Sequence, residues 1–415
     1  MLVDLRAQVD LERLGRALFR RGAGRRDRRA AVVAALEQVA ARSQERLRPF
    51  LDAERRAGRI RSWSGFAVVN RLLVEATPEG IAALARRPEV AALHPETELA
   101  DSVFAMSPRT AAQDPPEKTS WALAAIGAPA AWARGLDGKG VVVGIIDSGA
   151  SVAHEQLAAG FRGGERSWLD PRGRSATPVD TRFGHGTGVL SCAVGGNVAG
   201  VALGVAPGAR WIACAGLPDG RYNNVLATIC ADWMLTTGQP DVLLIAWLLP
   251  TAGCDRSLQP IVDAWRAAEI LPVFAAGNHG PAAGSDRSPA NYSGLYPGGR
   301  AALSVGGFGR DGGPWPKTSR GPSGCGGKDF PLLAAPAEDL VTAFPIARSS
   351  YLQADGTSFA AGLTAGAAAI LLQRHPEASV SELEGALRGR LDVPAALERL
   401  DKIQAVRRSR YSARK

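Results

Sequence analysis

The stretch Lys139-Gly140-Val141-Val142-Val143-Gly144-Ile145-Ile146-Asp147-Ser148-Gly149 decides the fold. Val141–Ile146 is a short apolar run with no polar alternation, the pattern of a strand buried on both faces, and it stops abruptly at an acid and a Ser-Gly turn. Four more such runs follow, Arg210–Cys214, Val242–Trp247, Leu271–Ala275 and Ala302–Val305, each near a Gly- or Pro-bearing turn and separated by helical segments. Buried strands alternating with helices predict an α/β fold, a three-layer doubly wound parallel sheet with helices on both faces. In such a sheet, reactive groups collect where strands end and loops begin.

Upstream the pattern differs. From Arg28 to Arg56 the residues Ala31, Val33, Leu36, Val39, Leu47 and Leu51 recur at roughly helical spacing, which predicts one long amphipathic helix. Ile60–Trp63 and Gly65–Glu75 form a β-rich stretch interrupted by Asn70. Thr77-Pro78-Glu79 predicts a helix start, with Thr77 as cap and Pro78 in the first turn, and the helix should end before Pro88. Glu89–Leu93 closes the series as a strand, so residues 1–100 predict a small α+β domain. Periodicity fails between Thr97 and Glu117, where prolines cluster; residues 101–118 are expected to be an exposed linker. The large domain is expected over 119–390 and an extension over 391–415, with Gln404–Lys415 as a basic tail.

Composition narrows the function classes. The 415 residues carry a formal net charge of +9, and much of it lies in Arg20, Arg21, Arg25, Arg26, Arg28 and Arg29. No zinc-finger, RRM or basic-zipper signature accompanies that run, so a solvated loop or helix face is expected and no nucleic-acid partner. Five cysteines, Cys192, Cys214, Cys230, Cys254 and Cys325, are widely spaced without a CxxC pair, which argues against a zinc site and leaves any pairing open. No run of about 18 apolar residues occurs, so no membrane span is expected. The N-terminus shows no signal-peptide pattern; a cytoplasmic protein, export by another route and secretion after loss of a leader all stay open.

Three places can carry chemistry. Asp147 ends the strand described above, held where a carboxylate can orient an imidazole, although a turn or cap acid looks the same in isolation. In Phe183-Gly184-His185-Gly186-Thr187-Gly188 a histidine stands between glycines at the start of an apolar helical run, and the glycines would let backbone pass close to a substrate. His94, His154, His279 and His375 lack such a frame and are expected to be structural. Asp355-Gly356-Thr357-Ser358-Phe359-Ala360-Ala361-Gly362 leads into the apolar run Leu363–Leu372, placing Ser358 at the start of a buried helix, where a plain N-cap is the alternative. A serine hydroxyl attacks poorly until a base takes its proton, and the base needs an acid to fix its tautomer; the trio Asp147, His185 and Ser358 supplies all three.

With these motifs, Gly204–Cys214 (GVAPGARWIAC), Phe274–Asn278 (FAAGN) and Thr318–Ser323 (TSRGPS), the sequence resembles the subtilases, the subtilisin-like serine peptidases, over roughly residues 121 to 375. The order Asp, His, Ser is that of subtilisin. WIACAGL and Ser288-Pro289-Ala290-Asn291-Tyr292 look most like the bacillopeptidase F branch. The resemblance implies a serine endopeptidase made as a zymogen that takes protein or peptide substrates. It implies Asn278 as the side-chain donor of the oxyanion hole, together with the Ser358 backbone N–H. It implies that Ala246, Trp247, Leu248, Ala275, Ala276 and Gly277 bind the substrate. Residues 1–100 resemble the family's inhibitory and chaperoning propeptide, acting as an intramolecular inhibitor, with Glu96–Thr110 as the first segment to be cut. No cofactor is required for the chemistry, and structural calcium is left open because no ligands are located.

Three departures from the family's pattern stand out. Relatives read Ser-Leu-Gly or Ser-Trp-Gly where this chain has Ala246-Trp247-Leu248, so Leu248 should narrow or fill the S1 pocket. Gly362-Leu363-Thr364 stands where relatives have Pro-His-Val, and Gly188 where many carry a second histidine. Arg287 matches loosely a position at the base of the S1 pocket; pointing inward it would favour an acidic residue before the scissile bond, and otherwise it is an ordinary surface arginine. The altered cleft keeps a second function class in view, a catalytically idle subtilase fold that binds a peptide or partner. An esterase is disfavoured because Ser358 lacks the GxSxG frame.

Overall fold

A computed structural model of the chain describes residues 1–102, 107–108, 120–295, 303–327 and 329–412. Its centre is an eight-stranded sheet in which every neighbouring pair is parallel. From one edge to the other the strands are Gly389–Arg390, Leu333–Pro336, Leu303–Phe308, Leu271–Ala275, Val242–Ile245, Val142–Ile146, Arg210–Cys214 and Trp168–Leu169. Side chains alternate between two cores. Val143, Ile145, Val242, Leu244 and Val273 face the helices His185–Val194 and Thr357–Arg374, while Ile146, Leu243, Ile245 and Phe274 face Asn224–Trp233 and Gln259–Ala267. Val142–Ile146 comes first in the chain yet lies inside the sheet, and later strands are laid down on both sides of it. The strand order therefore reverses at the end that carries Asp147, the place where doubly wound sheets build their sites.

The first ninety-odd residues form a separate antiparallel sheet, ordered Ile60–Phe66, Arg71–Ala76, Leu2–Leu5 and Val90–His94. The β-rich stretch is an antiparallel pair that turns at Asn70, which takes a positive φ of 40°. Thr77 caps Pro78–Ala85 as predicted, its side chain accepting from the Gly80 N–H at 3.3 Å. Leu2–Leu5 was not anticipated as a strand, and it is the one that joins the hairpin to Val90–His94.

The long helix spans Arg25–Arg56 and serves two partners. Leu47 and Leu51 cover its own sheet with Val3, Leu5, Ile60 and Leu72, whereas Val32, Val33 and Leu36 pack into the core of the large domain. Its start corrects the expectation of a solvated arginine run. Arg20, Arg21 and Arg26 are exposed, but Arg25 and Arg28 are buried against the large domain. Arg25 donates to the carbonyls of Ala378 (2.9 Å), Asp241 (2.9 Å) and Glu269 (2.6 Å); Arg28 pairs with Glu269 at 3.0 Å and Arg29 with Asp241 at 3.1 Å. A buried guanidinium is tolerable only where its donors find acceptors, and here the acceptors belong to the other domain.

Two further expectations change. Val393–Ser412 is a helix, with Leu397 and Leu400 buried and Ile403 packed on the core, so the basic tail is helical as far as Ser412. Part of the stretch expected to be an exposed linker is paired in strands. Glu98–Ser102 runs antiparallel to Arg221–Asn223, and Ser107–Pro108 to Ala354–Asp355; its other residues, 103–106 and 109–119, lie outside the described ones. Cys214–Cys230 and Cys254–Cys325 are disulfides, and Cys192 is a buried free thiol.

Arg25→Ala removes one donor from each of three carbonyls across the contact and is expected to cost about 2–4 kcal/mol in denaturant unfolding, whereas Arg26→Ala should stay within about 0.5 kcal/mol. Equal effects from the two would contradict an arginine clamp.

Candidate active site

Asp147 follows the last residue of its strand and donates its N–H to the Cys214 carbonyl of the neighbouring strand at 3.2 Å. His185 opens its helix behind Gly184, in the left-handed region at φ 68°. The two side chains meet with His185 Nδ1 2.8 Å from Asp147 Oδ1, and both are completely buried. The same oxygen accepts from the Ser148 N–H at 2.8 Å. That bond holds the imidazole in one orientation and favours the tautomer with the proton on Nδ1, leaving Nε2 to act as a base.

The glycines around His185 allow close contacts within the chain. A Cβ on Gly186 would lie 2.0 Å from the Gly149 carbonyl, so the close approach is between the histidine helix and the loop after Asp147. Gly362 plays the matching part in the second helix, where a Cβ would lie 2.5 Å from the Val189 carbonyl. The departure from Pro-His-Val is thus a packing feature: glycine lets Thr357–Arg374 press against His185–Val194, bringing Phe359, next to Ser358, within 6.4 Å of the imidazole, centroid to centroid.

Ser358 lies in the first turn of its helix and is buried. Its hydroxyl donates to the Ala246 carbonyl at 3.1 Å. A hydroxyl has a single proton, so in this arrangement that proton is directed at the end of strand Val242–Ile245 and not at the imidazole. Asn278 follows strand Leu271–Ala275 and is tied to the same turn. Its Oδ1 accepts from the Thr357 N–H at 3.0 Å and from Thr357 Oγ1 at 2.8 Å, which identifies the carbonyl end of the amide and turns the NH2 end the other way.

The expected cleft residues divide into two kinds. Ala246 offers its carbonyl to Ser358, and Gly277 donates its N–H to Thr357 Oγ1 at 3.0 Å. Leu248 lies against Gly277, its Cδ1 2.6 Å from where a Cβ would sit. Trp247 is turned inward, its indole N–H bonded to the Ile146 carbonyl at 2.8 Å, and Ala275 and Ala276 are buried; only their main chain can meet a substrate.

Asp180 was missed. It accepts from Ser148 Oγ (2.7 Å), the Thr181 N–H (2.8 Å), the Thr187 N–H (2.8 Å) and Thr187 Oγ1 (2.6 Å), and so ties the loop after Asp147 to the helix of His185. Nothing in Pro178-Val179-Asp180-Thr181 distinguishes it from a loop acid. Burial pushes its carboxyl up and the neighbouring Asp147 adds to this, against the pull of the hydrogen bonds.

A family model, the subtilase family, matches residues 138–399. This chain belongs to the subtilase family. The subtilase domain therefore covers the whole parallel sheet from Val142–Ile146 onward and each of Asp147, His185, Asn278 and Ser358. Bacillopeptidase F of Bacillus subtilis is 30% identical over 394 residues, 87% of this chain but 26% of its own length, so the chain spans about a quarter of that relative. The alkaline protease of Alkalihalobacillus alcalophilus is 28% identical, with 78% of this chain and 74% of that protein covered. Subtilisin Savinase of Lederbergia lenta is 29% identical over 66% of this chain and 91% of its own length. Among the described residues of this subtilase no cluster of three or more His, Cys, Asp or Glu side chains is arranged to hold a metal ion, and no helix is long and apolar enough to cross a membrane.

Asp180 carries a pH signature. A folded carboxyl that keeps its proton to higher pH than the unfolded one, near 3.9 for a free Asp, contributes stability that is complete below the unfolded value and lost as pH rises through the folded one. Asp180→Asn should flatten that part of the stability profile. Urea unfolding of both proteins at a series of pH values from 4 to 7 measures it, and parallel curves would count against the assignment.

Proposed function

We propose that the chain is a serine endopeptidase made as a zymogen, with Ser358 as nucleophile, His185 as its base and Asp147 as the group that holds the base. The buried Asp147–His185 bond of 2.8 Å carries this reading. His185 Nε2 takes the Ser358 proton as the hydroxyl leaves the Ala246 carbonyl and attacks a peptide carbonyl. The Asn278 amide and the Ser358 backbone N–H, at the positive end of its helix, stabilise the oxyanion; loss of one such donor typically costs about 10²–10³ in turnover. His185 then passes the proton to the leaving amine, and water, deprotonated in turn by His185, releases the acyl-enzyme.

Residues 1–100 act as the intramolecular inhibitor. Their tail is held along the helix Asn224–Trp233: Asn224 Oδ1 accepts from the Thr97 N–H at 3.0 Å, Asn224 Nδ2 donates to the Pro95 carbonyl at 2.9 Å, and Glu98–Ser102 continues as a strand beside Arg221–Asn223. Asp232, on the same helix, accepts from the Ala67 and Val68 N–H groups at 2.7 and 2.8 Å. Beyond Ser102 the chain pairs next at Ser107–Pro108 with Ala354–Asp355, immediately before Gly356 and the nucleophile turn. The segment Glu96–Thr110, paired at Glu98–Ser102 and again at Ser107–Pro108 beside the strand that leads to Ser358, is the first substrate.

A second reading, an idle subtilase fold that binds peptides, draws on Leu248 against Gly277 and on the Ser358 hydroxyl turned to Ala246. One experiment separates the two. A fluorophosphonate should label the full chain at Ser358, with no labelling of Ser358→Ala. Incubation of the wild type should produce a new N-terminus between Val103 and Ser107 that Ser358→Ala never produces. An unlabelled, uncut wild-type chain would favour the idle fold.

A further inference from the structure

The N-terminal domain reaches both ends of the parallel strands. At the start of its long helix Arg25 donates to the Asp241, Glu269 and Ala378 carbonyls, Arg29 to the Gln239 carbonyl at 3.0 Å and the Ala268 carbonyl at 3.1 Å, and Arg28 pairs with Glu269. Glu377 adds an acceptor, taking the Arg25 N–H at 2.7 Å. Asp241, which Arg25 and Arg29 both hold, ties three strands together at their beginnings. Its N–H donates to the Val142 carbonyl at 2.8 Å, its Oδ2 accepts from the Val142 N–H at 3.1 Å, and its carbonyl accepts from the Leu271 N–H at 3.0 Å. Those strands, Val142–Ile146, Val242–Ile245 and Leu271–Ala275, lead to Asp147, Ala246 and Asn278. The arginines therefore grip the starts of the strands whose far ends build the candidate site.

At about 3.3 Å per residue, a strand of four or five residues sets its two ends about 13–17 Å apart. The tail lies at the other end: Glu98–Ser102 pairs with Arg221–Asn223, in the loop that follows strand Arg210–Cys214. A cut beyond the tail frees the segment next to the site and leaves every arginine contact in place. Departure of the whole domain is a different matter. Val32, Val33 and Leu36 share one core with Ile146, Leu243, Ile245 and Phe274, and Leu11, Leu14 and Leu18 pack against it. Water can replace a guanidinium at a carbonyl, but it cannot replace an apolar neighbour, so separation would expose the two faces of that core together. Blocking belongs to the tail, and holding belongs to the arginine end.

We propose that the N-terminal domain, once its tail is cut, stays on as a noncovalent second subunit of the active peptidase, held by Arg25, Arg28 and Arg29 at the starts of the site-bearing strands. The inference rests on the peptidase reading given above and goes beyond it in giving the domain a role that outlasts inhibition. The species that hydrolyses protein substrates is then a complex of two chains.

The test uses the full chain, incubated until its fragment pattern is constant and passed through gel filtration under native conditions. Each fraction is resolved by denaturing electrophoresis and assayed on casein, with a fluorophosphonate-labelled aliquot run beside it. The N-terminal fragment and the labelled Ser358 fragment should elute in equal amounts in one peak, at the size of the uncut chain, and that peak should carry the casein hydrolysis. Arg25→Ala combined with Arg28→Ala should lower the bound share of the N-terminal fragment by about tenfold or more. Asn224→Ala, which loosens only the tail, should leave the fragment bound. Should the double variant fail to fold, the wild-type elution decides alone. Three results in a protein that labels at Ser358 overturn this inference and leave the peptidase reading standing: hydrolysis by the large fragment by itself, a joint peak without hydrolysis, or a chain that stays whole. Absence of labelling, cutting and hydrolysis overturns the two together.

Discussion

The candidate site of this molecule depends on a carboxylate and an imidazole placed together out of reach of water. Asp147 and His185 are fully buried and 2.8 Å apart. Removing a charged carboxylate from water costs several kcal/mol unless hydrogen bonds replace its hydration, so the surroundings must supply donors in fixed positions. The Ser148 N–H and the imidazole Nδ1 supply two of them. Asp180, through Ser148 and Thr187, fixes the loop and the helix that present those donors. The parallel sheet fixes one end of the arrangement, since Asp147 follows a strand that cannot shift without moving both cores. The glycine contacts at Gly186 and Gly362 bring the helices close enough for the rest.

The same need for compensated burial explains how the N-terminal domain is held. Its long helix is divided between two hydrophobic cores, and at its start Arg25, Arg28 and Arg29 reach carbonyls and carboxylates of the subtilase domain. At the other contact the helix Asn224–Trp233 offers Asp232 and Asn224 to the exposed backbone of the domain and its tail. Cys214–Cys230 joins that helix to the strand beside the one that ends at Asp147, so the helix that holds the tail and the strand neighbouring Asp147 are covalently connected.

How much of this was legible in the sequence follows from the range of the interactions. Val141–Ile146 and its companions announced buried strands because burial on both faces removes polar residues from the run. Thr77-Pro78 announced a helix start because a cap and its N–H lie three residues apart. Asp147, His185 and Ser358 could be paired only because their local frames resemble a family. What failed was long-range. Leu2–Leu5 is too short to show a period and finds its partners far along the chain. Arg25 and Arg28 look like any solvated basic run until Asp241 and Glu269 arrive from another domain. Asp180 looks like a loop acid until Ser148 and Thr187 close on it. Gln404–Ser412 looked like a tail because its basic residues obscured the apolar face that continues from Leu397 through Ile403.

The central claim is that Asp147 acts only through His185, and the most direct test compares rates of fluorophosphonate labelling at Ser358 in Asp147→Ala, His185→Ala and the double variant. Residues that work as one unit lose their effect together, so the double variant should label no more slowly than His185→Ala alone. Losses that add, with the double variant slower by the product of the two single effects, would show that the carboxylate and the imidazole act separately and would contradict the account.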